Sequence, residues 1–179
     1  MPKDPRARAA QYYDANPVFP NDIPFYRGRI PSRGAKVLEL GCGTWRVLVS
    51  LVDRCGYIHG IDHSEEMLAR CRKKLQERRV PPGKARAEIG DITNFSLPMQ
   101  FDLVIAPFRV LQTLEADAEV EGLFRCVRTH LAPGGSCILN AFNPKYDPDG
   151  LLRDWVSQEE TFMWEIGRAS CRERVYVLV

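Results

Sequence analysis

The chain has 179 residues, of which 45% are hydrophobic and 27% are charged, and its formal net charge is +2. This composition is typical of one soluble globular domain with a single sizeable core. The basic residues are scattered and no apolar run is long enough to cross a membrane, so we expect neither nucleic acid nor a membrane as a partner.

The cysteines indicate a reduced, metal-free protein. None of them forms a C-x-x-C pair, and no pair of histidines lies near them at the spacing of a metal site, so we expect no metal ion. A reduced cysteine in an apolar run behaves as a small core residue, which fits a cytoplasmic location. The six cysteines are Cys42, Cys55, Cys71, Cys126, Cys137 and Cys171.

Taken in chain order, the pattern changes at residue 35. Residues 1–34 are rich in Pro, Arg, Tyr and Asp, and they predict a short helix at 7–14 and a helical turn at 22–29. Beyond them, short apolar strands alternate with amphipathic helices, which predicts an α/β fold with a mostly parallel sheet and helices on both faces. The predicted strands are 36–40, 57–62, 85–89, 101–106 and 136–142, and the predicted helices are 46–54, 64–79 and 117–131.

A glycine-rich turn follows the first strand, where ligands of open α/β sheets bind. Gly41 and Gly43 let the backbone approach a ligand, and the next helix directs free N–H groups toward it. Asp62 ends the second strand, where an acid can accept hydrogen bonds from both hydroxyls of a ribose. A dinucleotide fingerprint would need a third glycine at Arg46. A simple turn remains an alternative, although it does not explain the acids at Glu39 and Asp62.

Five segments resemble the motifs of class I S-adenosylmethionine-dependent methyltransferases. Residues 39–44 resemble motif I, and residues 60–68 resemble the second motif with its ribose-binding acid. Residues 90–92 resemble the loop after strand three, residues 101–105 resemble strand four, and residues 131–135 resemble the turn before strand five. The resemblance implies a Rossmann-like sheet of seven strands, the last one antiparallel, and S-adenosylmethionine as the cofactor.

The resemblance also implies a set of cofactor contacts. In that family the acid of motif I lies near the methionine amino group, and the acid after strand three meets the adenine amine. Met67 and Ile92 would flank the adenine, or they are simply core residues. Tyr13 and Tyr26 would belong to a lid over the cofactor, or they anchor the N-terminal segment. The implied contact residues are Glu39, Gly41, Cys42, Gly43, Asp62, His63, Met67, Asp91, Ile92, Ala106, Tyr13 and Tyr26.

Two features depart from the family pattern. Trp45 stands where the family usually has a third glycine, so its ring either swings outward over the site or occupies cofactor space. Residues 165–175 resemble the translation of a common short-read sequencing adapter, so we expect incomplete C-terminal strands. We therefore divide the chain into an N-terminal lid or helical segment (1–34), a cofactor-binding methyltransferase domain (35–164) and a non-native tail (165–179).

The predicted function is methyl transfer from S-adenosylmethionine to a small-molecule acceptor. The sulfonium already activates the methyl group, so the enzyme mainly holds a nucleophile in line and excludes water, and the sequence assigns no catalytic residue. Arg109, after strand four, either pairs with an anionic substrate or lies on the surface. The alternative is a non-catalytic methyltransferase-like remnant that cannot bind cofactor because of Trp45 and the truncated C-terminus.

Overall fold

Seven strands form one sheet in the computed structural model, which describes residues 21–141 and the backbone of residues 161–164 and 174–178. Along the chain the strands are β1 (Lys36–Leu40), β2 (Tyr57–Asp62), β3 (Ala85–Ile89), β4 (Phe101–Ala106), β5 (Leu131–Asn140), β6 (Thr161–Trp164) and β7 (Arg174–Leu178). Across the sheet their order is β3-β2-β1-β4-β5-β7-β6. The order reverses between β1 and β4, so the carboxyl ends of these two central strands border a crevice.

Helices cover both faces of strands β1 to β5. They are α1 (Ile23–Arg27), α2 (Leu48–Leu51), α3 (Glu65–Glu77) and α4 (Asp117–His130), and a 3-10 helix spans Val110–Thr113. On one face, Val37 of β1 packs in a cluster with residues of α1, α2 and α3. On the other face, Leu38 of the same strand packs in a cluster with residues of α4. Successive β1 residues thus enter opposite cores, which confirms the predicted α/β fold with helices on both faces.

Helix α3 follows β2 and begins directly after Ser64. Glu65 and Glu66 occupy its first turn, where the helix dipole favours negative charge. The hydroxyl of Ser64 donates to Glu66 at 3.3 Å. It makes no capping bond to the helix backbone.

Helix α2 and strand β5 differ most from the predicted bounds, whereas the other described helices differ by at most two residues at an end. Helix α2 begins at Leu48 and not at residue 46, because the glycine turn continues through residue 47. Strand β5 begins at Leu131 and not at residue 136, because Leu131 already pairs with Phe101 of β4 before a shift in register. The predicted turn at Pro133-Gly134-Gly135 is therefore an irregularity within the strand pair.

The directions of the last two strands differ from the family pattern. Strand β7 runs parallel to β5, and β6 runs antiparallel to β7, so the antiparallel strand is the sixth in the chain and not the last. The link of residues 165–173 between β6 and β7 is too short for the crossover that a parallel pair needs, whereas an antiparallel pair accommodates it.

Some predictions fall outside the described residues. These are the helix at 7–14, most of the segment 1–34, residues 142–160 and most of the tail from residue 165, so the three domain boundaries stay predictions. Within the described part of the chain, no helix is long and apolar enough to cross a membrane.

Candidate cofactor site

The glycine loop between β1 and α2 turns at two residues with left-handed backbone. Gly41 has a φ of 68° and Gly43 a φ of 53°, which glycine adopts without steric cost. The N–H groups of Gly41 and Cys42 donate to the carbonyl oxygen of Ile61, at 2.8 and 3.1 Å. A Cβ atom on Gly41 would lie 2.6 Å from Cγ2 of Val110. Both the backbone conformation and the segment after β4 therefore require glycine at position 41.

Asp62, at the end of β2, holds this loop. Its Oδ2 accepts a hydrogen bond from the N–H of Gly43 at 2.8 Å, and its Oδ1 accepts one from the N–H of Ser64 at 2.9 Å. The side chain is only 5% exposed, whereas that of His63 is 58% exposed, with its Nδ1 3.9 Å from Oδ1 of Asp62. Each carboxylate oxygen has a second lone pair, so Asp62 retains capacity to accept from the hydroxyls of a ligand.

Glu39 of β1 is a buried carboxylate on the face that carries α1, α2 and α3. It is 2% exposed, and its Oε2 has no hydrogen-bond partner among the described residues. Burial raises the pKa of Glu39 well above its usual value, while the positive charge of Arg46 acts in the opposite direction. An unpartnered buried carboxylate oxygen is costly for a protein on its own. Its presence here indicates a place for a group that donates hydrogen bonds or carries positive charge.

Tyr26 of α1 packs on the same face of the sheet as Glu39. Its side chain is completely buried, and its hydroxyl has no partner in the described part of the chain. Burial, followed by the charges of Asp22 and Glu39, raises the pKa of Tyr26, so the hydroxyl stays protonated. The hydroxyl of Tyr26 is therefore buried on the Glu39 side of the sheet, whereas Tyr13 lies outside the described residues.

Cys42 and Ala106 direct their side chains into the two cores. Sγ of Cys42 lies 2.7 Å from where a Cβ atom on Gly60 would be, so the thiol packs beneath β2. A hydrogen bond with Cys71, together with burial, raises the pKa of the Cys42 thiol well above its usual value. Ala106 ends β4 and belongs to the core cluster on the α4 side. Because both side chains are in the cores, only the backbone atoms of Cys42 and Ala106 remain to contact a ligand.

The residues predicted around an adenine follow β2 and β3. Met67 on α3 is buried but belongs to neither apolar cluster, and Ile92 is half-buried against the cluster on the α4 side. Asp91 is exposed, and its Oδ1 accepts from the N–H and the hydroxyl of Thr93, at 2.8 and 2.7 Å. Asp91 therefore stabilises its own turn and also faces solvent, where a ligand amine has access to it.

Trp45 occupies a glycine conformation. Its φ is 87°, which is left-handed, and its indole is 1% exposed within the core cluster that also contains Tyr26 and Leu48. The indole Nε1 is buried, and no described residue accepts its hydrogen bond. The ring therefore does not swing outward over the site, which removes the first of the two arrangements considered from the sequence.

The loop after β4 contributes residues that sequence reasoning missed or left open. Phe108 and Arg109 both have left-handed backbones, with φ of 52° and 66°. The N–H of Arg109 donates to Oδ1 of Asn140 at 3.2 Å, which ties this loop to the end of β5. The position of Asn140 at the carboxyl end of a central strand was the available signal. Left-handed non-glycine residues are costly and cluster at functional loops.

Lys74 of α3 also reaches the glycine loop, and sequence reasoning missed it too. Its Nζ donates to the carbonyl oxygen of Thr44 at 2.9 Å. The bond joins residues 30 positions apart in the chain, so no local pattern reveals it. Lys74 stabilises the loop at the residue that precedes Trp45.

Comparisons with known proteins agree with this geometry. Residues 37–135 match the methyltransferase domain family. The phosphatidylethanolamine N-methyltransferase of Cereibacter sphaeroides is 36% identical over 137 residues, which cover 75% of this chain and 65% of that protein. The dTDP-3-amino-3,4,6-trideoxy-alpha-D-glucopyranose N,N-dimethyltransferase of Streptomyces venezuelae is 28% identical over 133 residues, which cover 74% of this chain and 52% of that protein.

A solved structure shares the fold. The structure of CalS10 with bound S-adenosylmethionine, an amino pentose methyltransferase from Micromonospora echinaspora, superposes with a TM-score of 0.61 at 24% identity. The match covers 88% of this chain and 63% of that one.

The chain belongs to the methyltransferase domain family, and its fold is that of class I S-adenosylmethionine-dependent methyltransferases. S-adenosylmethionine is the cofactor of this class. The chain spans 52% and 65% of the lengths of the two curated relatives described above.

Proposed function

We propose that this chain binds S-adenosylmethionine at the glycine loop and transfers its methyl group to a small-molecule acceptor. The observation that carries the proposal is the buried Oε2 of Glu39, which has no partner among the described residues and lies beside the glycine loop. An ammonium group supplies the charge and the hydrogen-bond donors that this oxygen lacks. The residues present therefore fit the amino-acid end of the cofactor.

Each remaining contact has a separate task. Asp62 accepts hydrogen bonds from the ribose hydroxyls, and Asp91 accepts one from the adenine amine. Met67 and Ile92 lie against the two faces of the adenine, and the backbone of the glycine loop lies along the methionine end. His63 borders the mouth of the site, and Tyr26 closes the buried end. When bound, the cofactor supplies a methyl group on a sulfonium, so the chain needs to orient an acceptor and exclude water.

The acceptor is a small molecule, and an amine is the first acceptor class to test. Both curated relatives described above are named as N-methyltransferases. On α3, Arg72 pairs with Glu65 and Lys73 with Glu77, which argues against a nucleic-acid acceptor. The five cysteines in the described residues are free and buried, which supports a cytoplasmic location.

Calorimetry with S-adenosylhomocysteine tests the proposal directly. We expect one-site binding by the unaltered chain and binding weaker by roughly tenfold in Glu39→Gln, because the variant loses the charge that meets the ammonium. Transfer of a labelled methyl group to a panel of small amines then tests the acceptor class. If only Trp45→Gly binds the ligand, the chain is a non-catalytic remnant and the proposal is wrong for it.

A further inference from the structure

Helix α1 is fastened to the glycine-loop side of the fold by an ion pair at each end. At its start, both guanidinium nitrogens of Arg46 donate to the carboxylate of Asp22, with 2.8 Å between Nη2 and Oδ2. At its end, Nη2 of Arg27 donates to Asp53 at 2.7 Å, and Nη1 donates to the carbonyl oxygen of Ser50 at 2.9 Å. The side chains of Arg46 and Asp22 are 18% and 12% exposed, whereas those of Arg27 and Asp53 are 31% and 59% exposed. The two pairs thus differ in burial, and only the Arg46–Asp22 pair is bidentate.

Of the two pairs, only Arg46 with Asp22 acts electrostatically on Glu39. The charged groups that act on the Glu39 carboxylate are Arg46, Asp22 and Asp62, and the hydroxyl of Tyr26 also lies near it. Among these charged groups, Arg46 supplies the positive charge. Its two-point bond commits it to Asp22, and Oε2 of Glu39 stays without a partner among the described residues.

We propose that Asp22 is a positioning residue that holds Arg46 away from Glu39 and so keeps Glu39 available to a cationic ligand group. This inference rests on the proposed function, in which that group is the ammonium of the cofactor. A guanidinium and an ammonium compete for one carboxylate, because each satisfies the same charge and the same lone pairs. Asp22 thus acts on the cofactor through Arg46 and does not touch it.

Asp22→Asn tests this role with little change in shape. The side chain of Asp22 makes no capping bond to α1, so its replacement by asparagine removes no helix cap. We expect Arg46 to turn to Glu39 in this variant and S-adenosylhomocysteine to bind roughly tenfold more weakly in calorimetry. The matched control is Arg27→Met, which removes the other ion pair from the same helix and should leave affinity unchanged.

The double variant Asp22→Asn/Arg46→Met separates competition from simple loosening of α1. If Arg46 competes with the ligand, its removal restores part of the affinity that Asp22→Asn loses. If α1 is merely loosened, the double variant binds no better than Asp22→Asn, and the proposal is wrong.

The pH dependence of affinity gives a second readout. Binding needs ionised Glu39, so affinity falls toward acid pH. In Asp22→Asn, the guanidinium of Arg46 turns to Glu39 and favours its ionised form, so the loss of affinity toward acid pH occurs at lower pH than in the parent. In Arg27→Met, the loss occurs at the same pH as in the parent. Equal affinity in Asp22→Asn and the parent overturns the role of Asp22 and leaves the proposed function intact. Absence of binding in every variant, Trp45→Gly included, overturns the proposed function and this inference with it.

Discussion

The carboxylate of Asp62 and the backbone N–H of Gly43 are joined by a hydrogen bond of 2.8 Å. The same carboxylate accepts the N–H of Ser64 at the start of α3, so one side chain holds both the glycine loop and the helix after β2. Under the proposed function this acid also meets the ribose. Loss of the Asp62 carboxylate therefore removes the ribose contact and also the hydrogen bond that organises the glycine loop.

Asp62→Ala, made together with Trp45→Gly, is expected to weaken S-adenosylhomocysteine binding by at least about tenfold, as for the loss of hydrogen bonds to a charged acceptor. The matched control is Asp102→Ala in the same background. Asp102 also accepts a backbone N–H, that of Lys36 at 2.7 Å, but at the opposite edge of the sheet. Calorimetry should show an unchanged dissociation constant for the control, and equal values for the two variants would remove the ribose assignment.

Because the backbone at position 45 is left-handed, replacing Trp45 by glycine and by alanine should have different effects on stability. Trp45→Gly and Trp45→Ala both remove the indole and leave the same void, but only glycine adopts the φ of 87° without strain. We expect the glycine variant to be more stable than the alanine variant by about 1 kcal/mol in chemical unfolding. The reverse order would mean that the turn relaxes once the ring is gone.

Gly41→Ala is expected to lower the free energy of unfolding by at least about 2 kcal/mol, because it combines a left-handed φ with a collision against Val110. Gly83→Ala is the control, since a Cβ atom there meets nothing within 4 Å. Denaturant titration of both variants measures the difference. A mild effect at Gly41 would show that the segment after β4 moves aside easily.

Glu39→Gln is expected to raise the stability of the ligand-free chain at neutral pH while it weakens ligand binding. Burial raises the pKa of Glu39 above the ordinary value of 4.5, so the folded state binds its proton more tightly than the unfolded chain does. The parent therefore loses stability as pH rises through the folded pKa, and the glutamine variant does not. Thermal unfolding should show a difference in stability between the glutamine variant and the parent that grows with pH and vanishes below about pH 4.5.

Much of the fold could be predicted from local pattern. The strands Lys36–Leu40, Tyr57–Asp62, Ala85–Ile89 and Phe101–Ala106 have the predicted bounds, because each is a short apolar or alternating run between clear turns. Strand β5 could not be bounded in this way, since its first residue is fixed by pairing with Phe101. The start of α2 depends on the conformation of the turn around Trp45, which the apolar spacing does not encode.

The candidate site was predictable only in part. The glycines and acids at strand ends follow from the order of the motifs, and Glu39 and Asp62 do lie at the carboxyl edge of the sheet. The partners of these residues could not be predicted, because Asp22 with Arg46 and Lys74 with Thr44 are long-range pairs. The burial of Trp45 was also missed, since a sequence reveals that a side chain is large but not which way the turn directs it.

The packing of Val110 against Gly41 joins two regions that have separate tasks under the proposed function. Gly41 belongs to the loop that faces the cofactor, and Val110 follows the strand whose end faces an acceptor. A ligand that pushes either residue toward the other must displace both, because their packing leaves no room even for a methyl group. The affinities for cofactor and acceptor are then thermodynamically coupled, and each ligand changes the affinity for the other by the same factor.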